Sequence, residues 1–306
     1  SILAENLVRG LIIPSGNDSA VVAACAVARK IKNDNSIGLT ESEQIFADLM
    51  NKKAEELGCK NTHFVNPHGY HDDNHFTCAE DMAKIAAEGI KNDLIKQVAA
   101  EKSYSGNGMG SANKDGLITQ DYNWTSHNLL ITNSEYNYQY ATGLKTGFTD
   151  NAGYTMAVTA KRNDMRLIAI VLGEAVSKVR NQETTSLLDY GFNLYKVQMI
   201  KKQGDVIKTV DLNKATKSKV DVVLDRDITV LSKKSDTEKS YTEKVNINEV
   251  KLPLKENQVI GNIEIYDGTN KIGSYPLVVN EAVKKKNIWK LFLDNLKDIV
   301  VGNLVF

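Results

Sequence analysis

Net charge is the first thing this sequence does without. Its 38 Lys and Arg offset 38 Asp and Glu, so no global field draws the molecule toward nucleic acid or an acidic surface. Cysteine is scarce as well. Cys25, Cys59 and Cys78 show no Cys-x-x-Cys spacing, which speaks against both a disulfide framework and a zinc knuckle; Cys25 and Cys78 sit in apolar helical patterns and read as small core residues. No uninterrupted apolar run reaches the length of a membrane span, and the opening SILAENLVR reads as helix rather than as a signal peptide. A domain rarely begins inside a helical pattern, so the expectation is that further chain precedes Ser1.

What is present is the profile of a soluble globular protein: 306 residues, 42% hydrophobic and 25% charged, enough for one large domain or two ordinary ones. After the run LIIPSGND, Ser19 to Ile31 is rich in Ala and Val around most of its circumference and predicts a central helix. Thr40 with Glu43 forms a capping-box pattern before a helical run that Gly58 ends, and Thr77 with Glu80 repeats the device before Met82, Ile85, Ala86 and Ile90. From Ala152 the pattern turns to strand. Tyr154 to Ala160 and Arg166 to Leu172 flank the polar turn Lys161 to Asp164 and predict an antiparallel hairpin, and Thr184 to Tyr195 returns to helix. Residues 1–196 therefore predict an α+β domain, a helical cluster packed on an antiparallel sheet. Residues 197–280, with alternating pairs such as Val220/Val222 and Ile263/Ile265 and an Asp267-Gly268 turn, predict a separate small all-β domain that carries nothing catalytic. Residues 281–306 place Lys284, Lys285 and Lys286 ahead of Trp289, Phe292, Leu293, Leu296, Ile299 and Val300 at helical spacing. That is an amphipathic helix suited to a membrane interface, or else a terminal helix packed on the β domain.

Two short stretches carry chemistry. Ser15-Gly16-Asn17 sits at a helix entry, where either polar residue by itself is an ordinary N-cap. Lys145-Thr146-Gly147 leads an extended segment into a turn. There the ammonium and hydroxyl suit a carboxylate, and the side-chain-free Gly147 lets a substrate backbone lie along the strand edge. Alone, Lys-Thr-Gly is an ordinary surface turn. In this order, however, Ser-x-Asn and Lys-Thr-Gly are two of the three elements of the penicillin-binding and serine β-lactamase site, the first being Ser-x-x-Lys. Ser15 then relays a proton toward a leaving amine, while Asn17 holds a substrate amide.

Together with Leu7 to Asp18 (LVRGLIIPSGND), Leu57 to Gly69 (LGCKNTHFVNPHG), Asp81-Met82-Ala83, Gly143 to Tyr154 (GLKTGFTDNAGY) and Arg166 to Gly173, these motifs closely resemble the low-molecular-weight penicillin-binding proteins that are D-alanyl-D-alanine carboxypeptidases, peptidase family S11. The resemblance covers about residues 4–196, and the β-rich second domain and C-terminal helix are typical of the family. It implies a β-lactamase/transpeptidase-like fold, N-terminally incomplete here, in an enzyme on the outer face of the cytoplasmic membrane. Such an enzyme trims the terminal D-alanine from peptidoglycan stem peptides through a serine acyl-enzyme, is acylated by β-lactams, and needs no metal or cofactor. On that resemblance Ser15, Asn17 and Lys145 are catalytic, and Lys145, Thr146 and Gly147 hold the substrate.

The family's acylated serine belongs to a Ser-x-x-Lys well upstream of Ser-x-Asn, and only 14 residues precede Ser15. The chain's single match, Ser111-Ala112-Asn113-Lys114, lies in the loop-like SGNGMGSANKDG and reads as chance. The expectation is that the nucleophile's segment is absent, that the 306 residues alone do not turn over, and that a missing N-terminal segment is one of the chain's partners. Two rivals stand beside this reading. One is a non-catalytic wall-binding relative. The other is a metal-dependent hydrolase built on His63, His68, His71 and His75, a run that Asn66, Pro67 and Gly69 break into what otherwise reads as a polar surface loop.

Overall fold

The structure, a computed structural model, describes residues 3–108, 112–113, 116–117, 120–289, 292–293 and 296. It divides into two compact units, Ser1–Asn193 and Leu194–Phe306, the second starting slightly ahead of the boundary read from composition.

In the first unit, α1 (Ala4–Ile12) stops before Pro14, whose ring cannot continue a helix. The chain then turns sharply. Ser15 has φ +58°, and the Gly16 N–H donates to Gly10 O at 2.9 Å. α2 (Asn17–Lys32) buries Ala20, Ala24 and Ala28 along one face at four-residue steps and packs between α1 and α3 (Leu39–Glu56). Small residues let the three helix axes approach closely. α4 (Ala79–Gly89) packs on the sheet strands described below, and α5 (Asp93–Ala99) packs on α1.

Neither capping box forms. α3 enters through Gly38 and α4 through Cys78, with no side-chain cap at either, because Thr40 already lies inside its helix and Thr77 stands one residue before the N-cap. Cys78 is accordingly half-exposed at a helix entry, not a core residue, while Cys25 is buried.

A ribbon follows, β1 (Ser103–Gly108) and β4 (Gln120–Thr125) antiparallel, with the two-residue strands β2 (Ala112–Asn113) and β3 (Gly116–Leu117) between them. Ser111 and Lys114 lie outside the described residues. After the single turn α6 (Leu129–Thr132), β5 (Ala141–Thr149), β6 (Gly153–Arg162) and β7 (Met165–Glu174) form an antiparallel sheet in that order. Asn163 at φ +53° begins the two-residue turn of the hairpin. α7 (Ser177–Leu194) begins seven residues earlier than the sequence pattern suggests, and its Gly191 lies against Leu167 of β7.

The second unit is all β. β8 (Tyr195–Lys201) pairs with β11 (Ile228–Lys233), while β9 (Val206–Asp211), β10 (Lys219–Leu224), β12 (Thr242–Ile247), β13 (Val259–Asp267) and β14 (Asn270–Val279) form a sheet of order β12-β13-β14-β10-β9. Its core is a contiguous apolar cluster that includes Val222, Leu224, Ile228, Ile263, Ile265 and Leu277. Residues 281–286 do not start a helix; Val283 bridges Leu254 and Lys285 bridges Ala215, which continues the β unit. Beyond them Ile288, Trp289, Phe292, Leu293 and Leu296 are exposed, and the rest of the expected terminal helix lies outside the described residues. Among the described residues no helix is long and apolar enough to cross a membrane.

Candidate active site

The strained corner between α1 and α2 and the edge strand β5 meet at one point. Lys145 Nζ donates to Ser15 Oγ at 2.6 Å and to Thr146 O at 2.7 Å, a contact across 130 positions of sequence. Ser15 reaches it because its backbone adopts a left-handed conformation that a β-carbon disfavours. Gly16 makes the corner possible: a β-carbon there stands 2.8 Å from Gly10 O and 2.9 Å from Ser19 Oγ. Farther along β5, a β-carbon on Gly147 meets Thr155 Oγ1 at 2.6 Å, so the strand is bare where it borders the site.

Ser15, Asn17, Lys145, Thr146 and Gly147 all line a single cleft of ≈ 930 Å³. The expected site residues are thus brought together, Asn17 as the first residue of α2 and Thr146 paired across β6 with Met156. Among the described residues β5 pairs as a strand with β6 alone, so its other edge has no strand partner.

The electrostatics of the cleft are one-sided. Lys145 and Arg180 line it with His68, His75 and His127, and among the described residues no Asp or Glu does. Burial, and then the charge of Arg180, lower the Lys145 pKa from its ordinary 10.5 to about 8. Arg180 was not singled out from the sequence. It is 5% exposed, donates to Ser177 Oγ at 3.1 Å and Asn181 Oδ1 at 3.2 Å, and lies over the Tyr154 ring at 5.7 Å. Among the described residues it forms no ion pair. A buried cation held only by neutral groups, beside a second cation, is a place where an anion would be favoured.

The histidine loop, read as polar surface, forms another wall of the cleft: Phe64, His68, Tyr70 and His75 all face it. Its rings serve the loop's own geometry. His63 Nδ1 contacts Asn74 O at 2.7 Å, Val65 N–H donates to His75 Nδ1 at 3.3 Å and Tyr70 N–H donates to His68 Nδ1 at 3.2 Å. Burial lowers the pKa of His75. The imidazoles do not converge, and no group of three metal-ligating side chains occurs among the described residues. The loop is anchored from behind by Asp81, 1% exposed, which accepts from Asn61 N–H at 2.7 Å, Thr62 Oγ1 at 2.9 Å and Lys84 Nζ at 3.2 Å. Burial opposes its charge, but those hydrogen bonds prevail and hold its pKa at about 2.

Such a cleft suits a ligand with one free carboxylate and an extended backbone, next to a hydroxyl that shares a proton with an amine. Known proteins are similar to the chain over both units. Residues 1–176 match the profile of the family described as D-alanyl-D-alanine carboxypeptidase, peptidase S11, and residues 195–285 that of the penicillin-binding protein 5 C-terminal domain. The chain is 29% identical over 282 residues to the D-alanyl-D-alanine carboxypeptidase DacF of Bacillus subtilis, covering 92% of this chain and 66% of that protein. It is 31% identical over 302 residues to DacA of Haemophilus influenzae, covering 97% and 69%. The chain thus spans about two thirds of these relatives' lengths. Among solved structures, penicillin-binding protein 5 of Haemophilus influenzae superposes with a TM-score of 0.56 at 29% identity, covering 92% of this chain and 74% of that one. The DacD carboxypeptidase of Francisella tularensis gives 0.52 at 26% identity, covering 92% and 75%. Helices on antiparallel sheet with an all-β second unit is the fold these proteins share with the chain.

Proposed function

The chain belongs to the D-alanyl-D-alanine carboxypeptidase family, and from that membership we propose that its cleft serves a serine peptidase removing the terminal D-alanine of peptidoglycan stem peptides. The observation that carries this reading is the 2.6 Å contact of Lys145 Nζ with Ser15 Oγ in a cleft that no acidic side chain lines among the described residues. The Lys145 ammonium, the Thr146 hydroxyl and Arg180 hold the substrate's free carboxylate, while its backbone adds to the open edge of β5 beside Gly147. Asn17 holds the substrate amide.

As the acylated serine's oxygen bonds to the carbonyl carbon and the scissile C–N bond breaks, Ser15 Oγ–H gives its proton to the departing amine, Lys145 replaces it, and the proton that the acylated serine gives up restores the Lys145 ammonium. A lysine pKa near 8 suits that exchange, since the amine gives up its proton without leaving the ammonium scarce at neutral pH. The serine that takes the acyl group is supplied by chain outside residues 1–306. Supporting this, no second serine–lysine pair lines the cleft among its described residues. β-Lactams enter as carboxylate-bearing mimics of the same dipeptide. Residues 281–306 hold the protein on the outer face of the cytoplasmic membrane, in keeping with the exposed Ile288, Trp289, Phe292, Leu293 and Leu296 that follow three lysines.

Fluorescent penicillin tests the reading. The native protein, with whatever chain precedes residue 1, is expected to be labelled on a serine outside these 306 residues, and residues 1–306 alone are expected to stay unlabelled. No labelling of the native protein makes the chain a binding module, and a label on Ser15 or Ser111 removes the case for an external nucleophile.

A further inference from the structure

Along β5 the cleft continues in one direction only. Lys145, Thr146, Gly147, Phe148 and Thr149 line it, whereas the described residues 141–144 of the same strand do not. A peptide whose free carboxylate lies at Lys145 and Thr146 therefore runs toward Phe148 as it leaves them. At about 3.3 Å per residue of an extended chain, its last two residues pass Gly147 and the third from its end comes beside Phe148.

An aromatic ring turned to solvent stands at that position. A single exposed phenylalanine on an open surface needs no explanation, but this one is 54% exposed inside a cleft and is held in place. Its ring centroid stands 4.4 Å from that of Tyr154, its partner across β6, with the two planes 35° apart. Arg180, itself buried, lies over the Tyr154 ring in turn. Phe148 is also two residues on from Thr146, so the two side chains share a face of the strand. The proton transfer at Ser15 makes no use of the ring. A fixed apolar face binds without first having to be ordered, which lowers the cost of contact.

We propose that Phe148 is a specificity-determining residue: its exposed face packs against the side chain of the third residue from the peptide's free end, so the cleft prefers a long aliphatic side chain there to a short one. The proposal rests on the carboxypeptidase reading, which places the carboxylate at Lys145. Methylenes laid along the ring leave water, whereas a lone methyl covers little of it.

The test is a titration of the isotope-labelled 306-residue chain with diacetyl-L-Lys-D-Ala-D-Ala and with acetyl-L-Ala-D-Ala-D-Ala, followed by amide chemical shifts. The two peptides differ only in the third side chain. The lysine peptide is expected to bind about fivefold more tightly. Phe148→Ala is expected to bring the two within about twofold by weakening the lysine peptide alone, and Phe148→Leu, which keeps apolar bulk, to leave a preference of about threefold. Equal affinities in the unaltered chain, or a preference undiminished in Phe148→Ala, overturns the proposal. Loss of both peptides in both variants overturns it too, since the ring then supports the cleft instead of reading the substrate. The alanine peptide reports on the carboxypeptidase reading by itself. Its binding without any preference for the lysine peptide counts against Phe148 alone, and failure of both peptides to bind the unaltered chain removes that reading and the proposal with it.

Discussion

Lys145 is held where its charge is useful and its burial unfavourable. With a pKa lowered from 10.5 to about 8, the folded protein sheds this proton earlier than the unfolded chain does. The contribution of Lys145 therefore makes stability rise with pH between about 8 and 10.5. Replacing it by an apolar side chain of similar length removes the buried charge. Lys145→Met is expected to raise the melting temperature at pH 7 by about 2–4 °C, the shift that ~1 kcal/mol gives in a domain of this size, while weakening binding of carboxylate ligands; a lowered melting temperature in differential scanning fluorimetry contradicts the burial argument. Asp81 is the opposite case. Its lowered pKa makes its stabilisation complete above its ordinary value of 3.8 and lost as the pH falls through about 2. Asp81→Asn is expected to flatten the pH dependence of stability across that window and to speed hydrogen exchange at Asn61, whose N–H it holds. Unaltered exchange there shows the histidine loop to be anchored by other contacts.

At the scale of elements, the site depends on how tightly α1 turns into α2. Gly16→Ala puts a methyl within 2.8 Å of a backbone carbonyl that has little room to retreat, and overpacking of that kind costs about 1–3 kcal/mol. Urea unfolding of the variant is expected to show that loss together with weaker ligand binding, since the strain is passed to Ser15; an unchanged midpoint means the corner is soft. This corner and β5 were legible in the sequence because Pro14, Gly16 and Gly147 are residues whose backbone properties fix local geometry. The Tyr154 and Arg166 strands were legible for their β-branched alternation. α7 was legible only from Thr184, since its opening turns, Ser-Lys-Val-Arg-Asn-Gln, show no apolar period; with them went Arg180 and Asn181, whose burial comes from tertiary packing. The capping patterns at Thr40 and Thr77 misled because the helices start off the pattern's register, α3 at Leu39 ahead of Thr40 and α4 at Ala79 behind Cys78. The histidine loop looked like surface because polar, Pro- and Gly-broken segments usually are, and nothing local reveals that a cleft lies beneath it.

On the scale of the whole molecule, the two units have separate cores, and the second closes its own around Val222, Ile263 and Leu277. Residues 194–286 expressed alone are expected to give dispersed amide spectra and one cooperative unfolding transition, and a collapsed spectrum shows that this unit needs the first to fold. The central claim belongs to the first unit: a corner hydroxyl and a strand ammonium, 130 positions apart, form one receptor for a peptide's free carboxylate. The most direct test is to titrate the 306-residue chain with diacetyl-L-Lys-D-Ala-D-Ala and with its C-terminal amide. The acid is expected to bind with shifts at Ser15, Lys145 and Thr146, the amide to bind about tenfold more weakly or worse, and Lys145→Met to remove the difference. Equal affinity for acid and amide contradicts it.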